Sequence, residues 1–174
     1  MIFTTTYEKN NPSLLAQLRE ANKYRPWIQE AAQRYGLQPC IIAGLGSRES
    51  HWGLALKPVG PEGTGDGGSG HGLMQIDKRW HTEFIESGKW KDPGENILYG
   101  CSLLAQNRAL AQRRMPKVYN DRVFLKIILA SYNTGFNRAL EGLREGDIDL
   151  FTTGENYSTD VLSRAGWFQV QGWA

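Results

Sequence analysis

Three carboxylates stand out by the residues around them: Glu49, Asp66 and Asp77. Glu49 nearly closes the stretch Pro39-Cys-Ile-Ile-Ala-Gly-Leu-Gly-Ser-Arg-Glu-Ser50, which reads as one short helix, apolar on almost every side until Ser47. Pro39 suits a first helical position, where its missing N–H is not needed. Glu49 falls four residues after Leu45 and eight after Ile41, and so lies on their stripe. Burial disfavours the charged form of a carboxyl group, so an acid there is expected to keep its proton to higher pH, as a general acid must. A purely structural role, pairing with Arg48 at a helix end, fits the same position, and the helix alone does not separate the two. Asp66 sits in a wetter, glycine-rich loop, and Asp77 follows an apolar segment. One carboxyl that keeps its proton, opposite others that stay ionised, is the arrangement for cleaving a glycosidic bond.

Other chemistries find less support. No serine or cysteine occupies a nucleophile elbow, and no HExxH occurs. His51, His71 and His81 lack metal-ligand spacing on a common helix, so neither a metal nor a cofactor is expected. Residues 60–72, Gly-Pro-Glu-Gly-Thr-Gly-Asp-Gly-Gly-Ser-Gly-His-Gly, contain a GxGxxG match at Gly65, Gly67 and Gly70. That motif needs a strand before it and a helix after it in a βαβ unit. Prolines precede it here and no parallel-sheet pattern occurs, so a loop or small hairpin that presents Asp66 is the better reading.

The elements that must position these groups are mostly helical. Apolar spacing predicts helices over 12–24, 27–35, 39–50, 96–114, 123–134, 137–145 and from 156 or 158 to about 172. Gly36 and Gly135 are natural stops, and Asp121 is expected to N-cap the helix that follows it. Residues 54–59 are expected to form a short strand, 60–72 a loop or hairpin, and 78–86 a helical turn. The fold class is therefore mainly α with a small β region, in one domain spanning 1–174: an N-terminal arm and helix over 1–24, then a core over 25–172.

Composition narrows the partners. The 174 residues carry 20 basic and 18 acidic side chains, a balance of +2 that does not point to nucleic acid. No run of 18 apolar residues suggests a membrane span. The N-terminus lacks a signal-peptide pattern, so synthesis in a reducing compartment is expected. Cys40 and Cys101 read as buried thiols in helices.

Taken in order, Ser47-Arg-Glu-Ser-His51, the glycine loop with Asp66, Gly72-Leu-Met-Gln-Ile-Asp-Lys-Arg79 with His81, Ser131-Tyr-Asn-Thr-Gly135 and Asn156-Tyr-Ser-Thr-Asp-Val-Leu-Ser-Arg164 resemble the goose-type lysozymes. The resemblance covers about residues 25–172; the motifs are specific as a set, though any one alone is weak. It implies a lysozyme-like α+β fold, with a helical bundle around a central buried helix and a small β-hairpin region. It implies that Glu49 is the general acid and that Asp66 and Asp77 hold and activate the hydrolytic water. It also implies sugar contacts from Tyr132 and Asn133, a tyrosine near the acid at Tyr157, a groove-lining His81, and main-chain sugar contacts around Gln75 and Ile76. Tyr132 and Tyr157 equally fit core packing with a satisfied hydroxyl. The chain departs from vertebrate members in lacking their N-terminal cysteines, in Trp52 and Trp80, and in a longer glycine loop that leaves the position of Asp66 open.

The expected activity is hydrolysis of the β-1,4 bond between N-acetylmuramic acid and N-acetylglucosamine, with inversion, by a monomer acting on peptidoglycan glycan strands. The related lytic transglycosylases form an anhydro ring and need no base for water, so two aspartates favour hydrolysis. A non-catalytic peptidoglycan-binding module is the alternative of another class. The lack of a leader, of wall-binding repeats and of a linker suggests a phage endolysin, made in the cytoplasm and acting on the cell wall.

Overall fold

The helix that carries Glu49 is wrapped by the two before it. In the computed structural model, which describes all residues Met1–Ala174, α1 (Pro12–Lys23) and α2 (Arg25–Tyr35) both pack on α3 (Pro39–Ser50). The Asn11 side chain caps α1 by accepting from the Leu14 N–H at 3.0 Å. Gly36 ends α2 in the left-handed region, at φ 60° and ψ 45°. In α3 every residue from Cys40 to Ser47 is buried, and so is Ser50. Trp52 is 1% exposed; its Nε1 donates to the Ala43 carbonyl at 2.9 Å and its ring covers Gly46. A Cβ on Gly46 would lie 2.5 Å from that ring, so this glycine is required by close packing.

The chain forms two compact units, Met1–Cys101 with Leu162–Ala174, and Ser102–Val161. The first holds α1 to α3, a three-stranded antiparallel sheet in the order β1 (Thr64–Gly65), β2 (Gly70–His71), β3 (Ile76–Asp77), and α4 (Thr82–Glu86). Two helices run from one unit into the other, α5 (Pro93–Arg114) and α8 (Tyr157–Val170). The N-terminal arm is docked along the end of α8: Thr6 N–H donates to Ser163 Oγ at 2.9 Å, and Trp167 Nε1 donates to the Glu8 carbonyl at 2.9 Å. Cys40 and Cys101 are buried free thiols, and burial pushes the Cys40 thiol up to about 11.

Eight helices and one small sheet make the fold mainly α, as the sequence implies. Two local expectations fail. Residues 54–59 form turns and a bend, with only Lys57 bridging to Thr64. Pro58 cannot donate to a ladder, and Leu54 and Val59 are exposed, so nothing extends the pairing. The helix expected to start on Asp121 is capped one residue earlier: Asn120 accepts from the Val123 N–H at 3.0 Å, and Asp121 instead places its charge in the first turn of α6 (Asp121–Thr134).

The second unit is organised around Asp149, which is 2% exposed. It follows α7 (Phe136–Glu145) and caps the start of α8 from outside, accepting from Ser158 N–H at 2.7 Å and Thr159 N–H at 3.1 Å. Both hydroxyls also donate to its Oδ2, at 2.9 and 2.7 Å, and Lys126 Nζ lies 3.7 Å away. Burial alone would raise this carboxyl, but the hydrogen bonds from Thr159 and Ser158 outweigh it and hold Asp149 below its ordinary value. A depressed folded value stabilises the native state above the unfolded value, near pH 4, and that contribution fades as pH falls through the folded value. Asp149→Asn should therefore cost about 2 kcal/mol at neutral pH, and chemical denaturation should show the gap to wild type shrinking below about pH 4.

Candidate active site

Glu49 occupies the last turn of α3, half-buried between two fully buried serines. Ser47 Oγ donates to Gln17 Oε1 at 2.5 Å and accepts from Arg164 Nη1 at 2.8 Å. Ser50 Oγ donates to the Leu73 carbonyl at 2.7 Å and accepts from the Gly53 N–H at 3.0 Å. The helix end is thus tied to α1, to α8 and to the segment that enters β3. Such buried, satisfied networks fix one geometry, because leaving any member unpaired is costly.

Asp66 and Asp77 come from the two opposite edge strands of the sheet, with β2 between them. Gly65 pairs with Gly70, and Gly70 pairs with Asp77, so these residues form one row across the three strands. Asp66 follows Gly65 directly and is exposed, with φ at 49°. Asp77 is half-buried at the end of β3. Its carboxylate is gripped by Arg79: Nε donates to Oδ1 at 3.0 Å and to Oδ2 at 3.1 Å, Nη2 reaches Oδ2, and the Arg79 N–H donates to Oδ1 at 2.8 Å. The side-chain hydrogen bonds from Arg79 hold the Asp77 carboxyl below its ordinary value. The Arg79 guanidinium is stabilised first by Asp77 and, more weakly, by the charge of Asp66. Arg79 therefore senses both aspartates.

The sheet itself is shaped by small residues and two amides. Gln75, at φ 49°, donates from Nε2 to the Gly72 carbonyl at 2.9 Å. Its Oε1 fills the space that side chains at positions 65 and 70 would need; a Cβ there would lie 2.4 and 2.3 Å away. Asn96, fully buried, donates to the carbonyls of His71 and Trp90, each at 3.1 Å, and accepts from the Met74 N–H at 2.8 Å. Ile76 is 1% exposed, so only its main chain can meet a ligand. As the outer strand of the sheet, β3 leaves one backbone edge without a strand partner.

His81 follows the Asp77 turn, its N–H donating to the Asp77 carbonyl at 3.0 Å. Its Nδ1 meets the Tyr99 hydroxyl at 3.1 Å, and Tyr99 stacks on Phe84 at 3.8 Å between ring centres. Burial pulls the imidazole below its ordinary value, against the opposing charge of Asp77, so the ring is neutral at neutral pH.

The first unit thus holds Glu49, Asp66, Gln75, Ile76, Asp77 and His81, and the second holds Tyr132, Asn133 and Tyr157. Tyr132 is half-buried near the end of α6. Asn133 is exposed, and its amide spans to Thr153, accepting from that N–H at 2.8 Å and donating to Oγ1 at 3.1 Å. Tyr157 is 2% exposed at the start of α8, its N–H donating to Thr152 Oγ1 at 3.2 Å. Sequence reasoning passed over Arg79, Asn96, Ser47 and Ser50. Only Arg79 left a signal, an Asp-x-Arg spacing in a turn after a strand.

Over residues 15–172 the chain matches the Lysozyme g family. It is 35% identical to lysozyme g of Casuarius casuarius over 157 residues, covering 90% of this chain and 78% of that protein. It is 36% identical to lysozyme g of Gallus gallus over 156 residues, 90% of this chain and 68% of that one. Against lysozyme g of Cyprinus carpio the identity is 34% over 164 residues, 93% and 82% of the two chains. No helix is long and apolar enough to cross a membrane.

Removing the Arg79 side chain takes away the main influence that keeps Asp77 ionised in acid. If Asp77 acts in its charged form, Arg79→Ala should move the acid limb of the pH–activity profile upward, and Arg79→Lys should restore part of the shift. Titration of the Asp77 carboxyl by NMR in both variants checks the cause directly.

Proposed function

The chain belongs to the lysozyme g family of peptidoglycan-degrading glycoside hydrolases, and on that premise we propose that it cleaves the β-1,4 bond between N-acetylmuramic acid and N-acetylglucosamine with inversion, and so lyses bacterial walls. The observation that carries this reading is the contrast among three carboxyl groups of one compact unit. Glu49 sits half-buried on a helix end locked by hydrogen bonds, Asp66 is exposed, and Asp77 is kept ionised by Arg79.

Glu49 donates its proton to the bridging oxygen as the bond to the anomeric carbon breaks. The bonding electron pair leaves with that oxygen, and the ring carries oxocarbenium character. Water attacks the anomeric carbon from the opposite face and gives its proton to a carboxylate. In inverting enzymes acid and base stand about 6.5–9.5 Å apart, which leaves room for that water. Asp66, exposed at the corner after β1, takes the proton; Asp77, clamped by Arg79, orients the water and fixes the local field. In the first unit the main-chain edge at Gln75 and Ile76 and the His81 ring provide sugar contacts; in the second unit Tyr132 and Asn133 do, while Tyr157, 2% exposed, supports from the interior. The protein works as a monomer without a metal.

Product analysis on purified sacculi tests the assignment. Glu49→Gln should lower lysis by about 10²- to 10⁴-fold while the protein still sediments with the wall. Reducing ends of inverted configuration are expected from wild type. Retained configuration would remove Asp66 and Asp77 from water activation, and 1,6-anhydro ends would make the chain a transglycosylase. Lysis that persists in Glu49→Gln would dismiss Glu49 as the acid.

A further inference from the structure

The chain has six tryptophans, and one differs sharply from the rest. Trp52, Trp167 and Trp173 are each 1% exposed, Trp90 is 8% exposed and Trp27 is 36% exposed, whereas Trp80 is 79% exposed. An indole left in water forgoes a large burial energy, so its position invites an explanation. Trp80 lies between two residues of the site. Arg79 before it grips Asp77, and His81 after it rests edge-on against Tyr99, 5.4 Å between ring centres. The turn is closed by the Asp77 carbonyl, which accepts from the Trp80 N–H at 3.2 Å and from the His81 N–H at 3.0 Å. Trp80 is therefore fixed through its backbone to the main chain of the residue whose carboxylate ends β3, while its ring is left open.

The segment around Trp80 discriminates among partners. Lys78, Arg79, Thr82 and Glu83 are all exposed, so the indole's exposed neighbours in sequence are charges and a hydroxyl. A protein-binding hot spot needs an apolar surround that excludes water, and membrane insertion needs several apolar side chains on one face. No other large apolar side chain between Val59 and Val118 is exposed, so the segment around Trp80 offers neither. A pyranose ring matches the arrangement: its axial C–H bonds make one apolar face for the indole, and its equatorial hydroxyl and acetamido groups suit a polar rim.

Resting on the glycan-cleaving reading above, we propose that Trp80 is a stacking platform for a sugar of the glycan strand, forming a subsite beside the cleavage point that is joined to Asp77 by one turn. The platform adds binding at a sugar away from the bond that breaks. Its loss therefore weakens substrate binding more than it slows the chemical step.

The test uses the full chain in a Glu49→Gln background and a hexamer of N-acetylglucosamine, which has the backbone of the glycan strand. Five of the six indoles are buried or at most 36% exposed, so iodide quenching of fluorescence reports mainly on Trp80. The hexamer should shield that fluorescence from iodide. Trp80→Ala should weaken hexamer binding about 10-fold, and Trp80→Phe should bring it back to within about threefold. In the Glu49 protein, Trp80→Ala should raise KM on sacculi about 10-fold and lower kcat less than twofold. Hexamer affinity within twofold of the parent in Trp80→Ala would overturn the inference. So would shielding by phosphatidylglycerol vesicles but not by the hexamer. The binding arms do not depend on turnover, so failure of Glu49 as the acid would leave them readable, and loss of the Trp80 effect would leave the acid assignment standing.

Discussion

A carboxyl group can work as an acid on a sugar bridge only if its backbone does not yield, and in the proposed reaction that demand falls on the last turn of α3. The turn is held from three directions by two serine hydroxyls with no exposure to water. Ser47 meets Gln17 and Arg164, and Ser50 meets the Leu73 carbonyl and the Gly53 N–H. Trp52 adds a fourth hold by closing over Gly46 and donating back to Ala43. Each bond is modest in net energy, about 0.5–1.5 kcal/mol. Their collective value is positional, because a buried donor or acceptor cannot be released without loss. Glu49 is thus presented from a backbone held in one place.

The sheet that carries Asp77 is built on another principle. Its strands are only two residues long, too short to hold a sheet by their own ladder. Side-chain amides take over. Asn96 reaches from α5 to fasten His71 and Met74, and Gln75 lies against the glycines of β1 and β2. Glycine at 65, 70 and 72 is therefore a consequence of amides packing against bare backbone; at 72, with φ 71°, conformation requires it as well. Within residues 60–72, which in sequence resemble a linker, close packing accounts for Gly63, Gly65, Gly70 and Gly72, and positive φ accounts for Gly60, Gly67 and Gly68.

This also explains what the sequence could and could not reveal. The helices were legible because their stripes recur at helical spacing and their ends carry Pro39, Gly36 and Gly135. The Glu49 helix was legible for a further reason, since so few of its residues are polar. The sheet was legible only coarsely, as a hairpin within 60–72: two-residue strands carry no alternation to fix their bounds, and the run at 54–59 that resembled a strand forms turns. Buried polar residues were invisible in principle. Ser47, Ser50, Asn96 and Asp149 are drawn from types found mostly on surfaces, and only a partner distant in sequence shows that they are inside. The Arg79 clamp was within reach, because an arginine two residues after an aspartate at a strand end is close enough to fold back on it. Its effect, separating Asp77 from Asp66 in character, needed the geometry.

The backbone carries an independent mark of the same region. Five residues other than glycine have positive φ: His51, Trp52, Asp66, Gln75 and Glu155. Four of these fall between the end of α3 and β3, on the segment that joins the candidate acid to the candidate base. For a side chain with a Cβ such a conformation costs about 1–2 kcal/mol, and the surrounding packing must impose it. At His51 and Trp52 it turns the chain sharply out of α3 and sends the indole back over Gly46. At Gln75 it directs the amide inward onto the sheet, and at Asp66 it sets an exposed carboxylate at the corner beside β1. The four positive-φ residues between α3 and β3 thus set where Trp52, Asp66 and Gln75 project from the main chain.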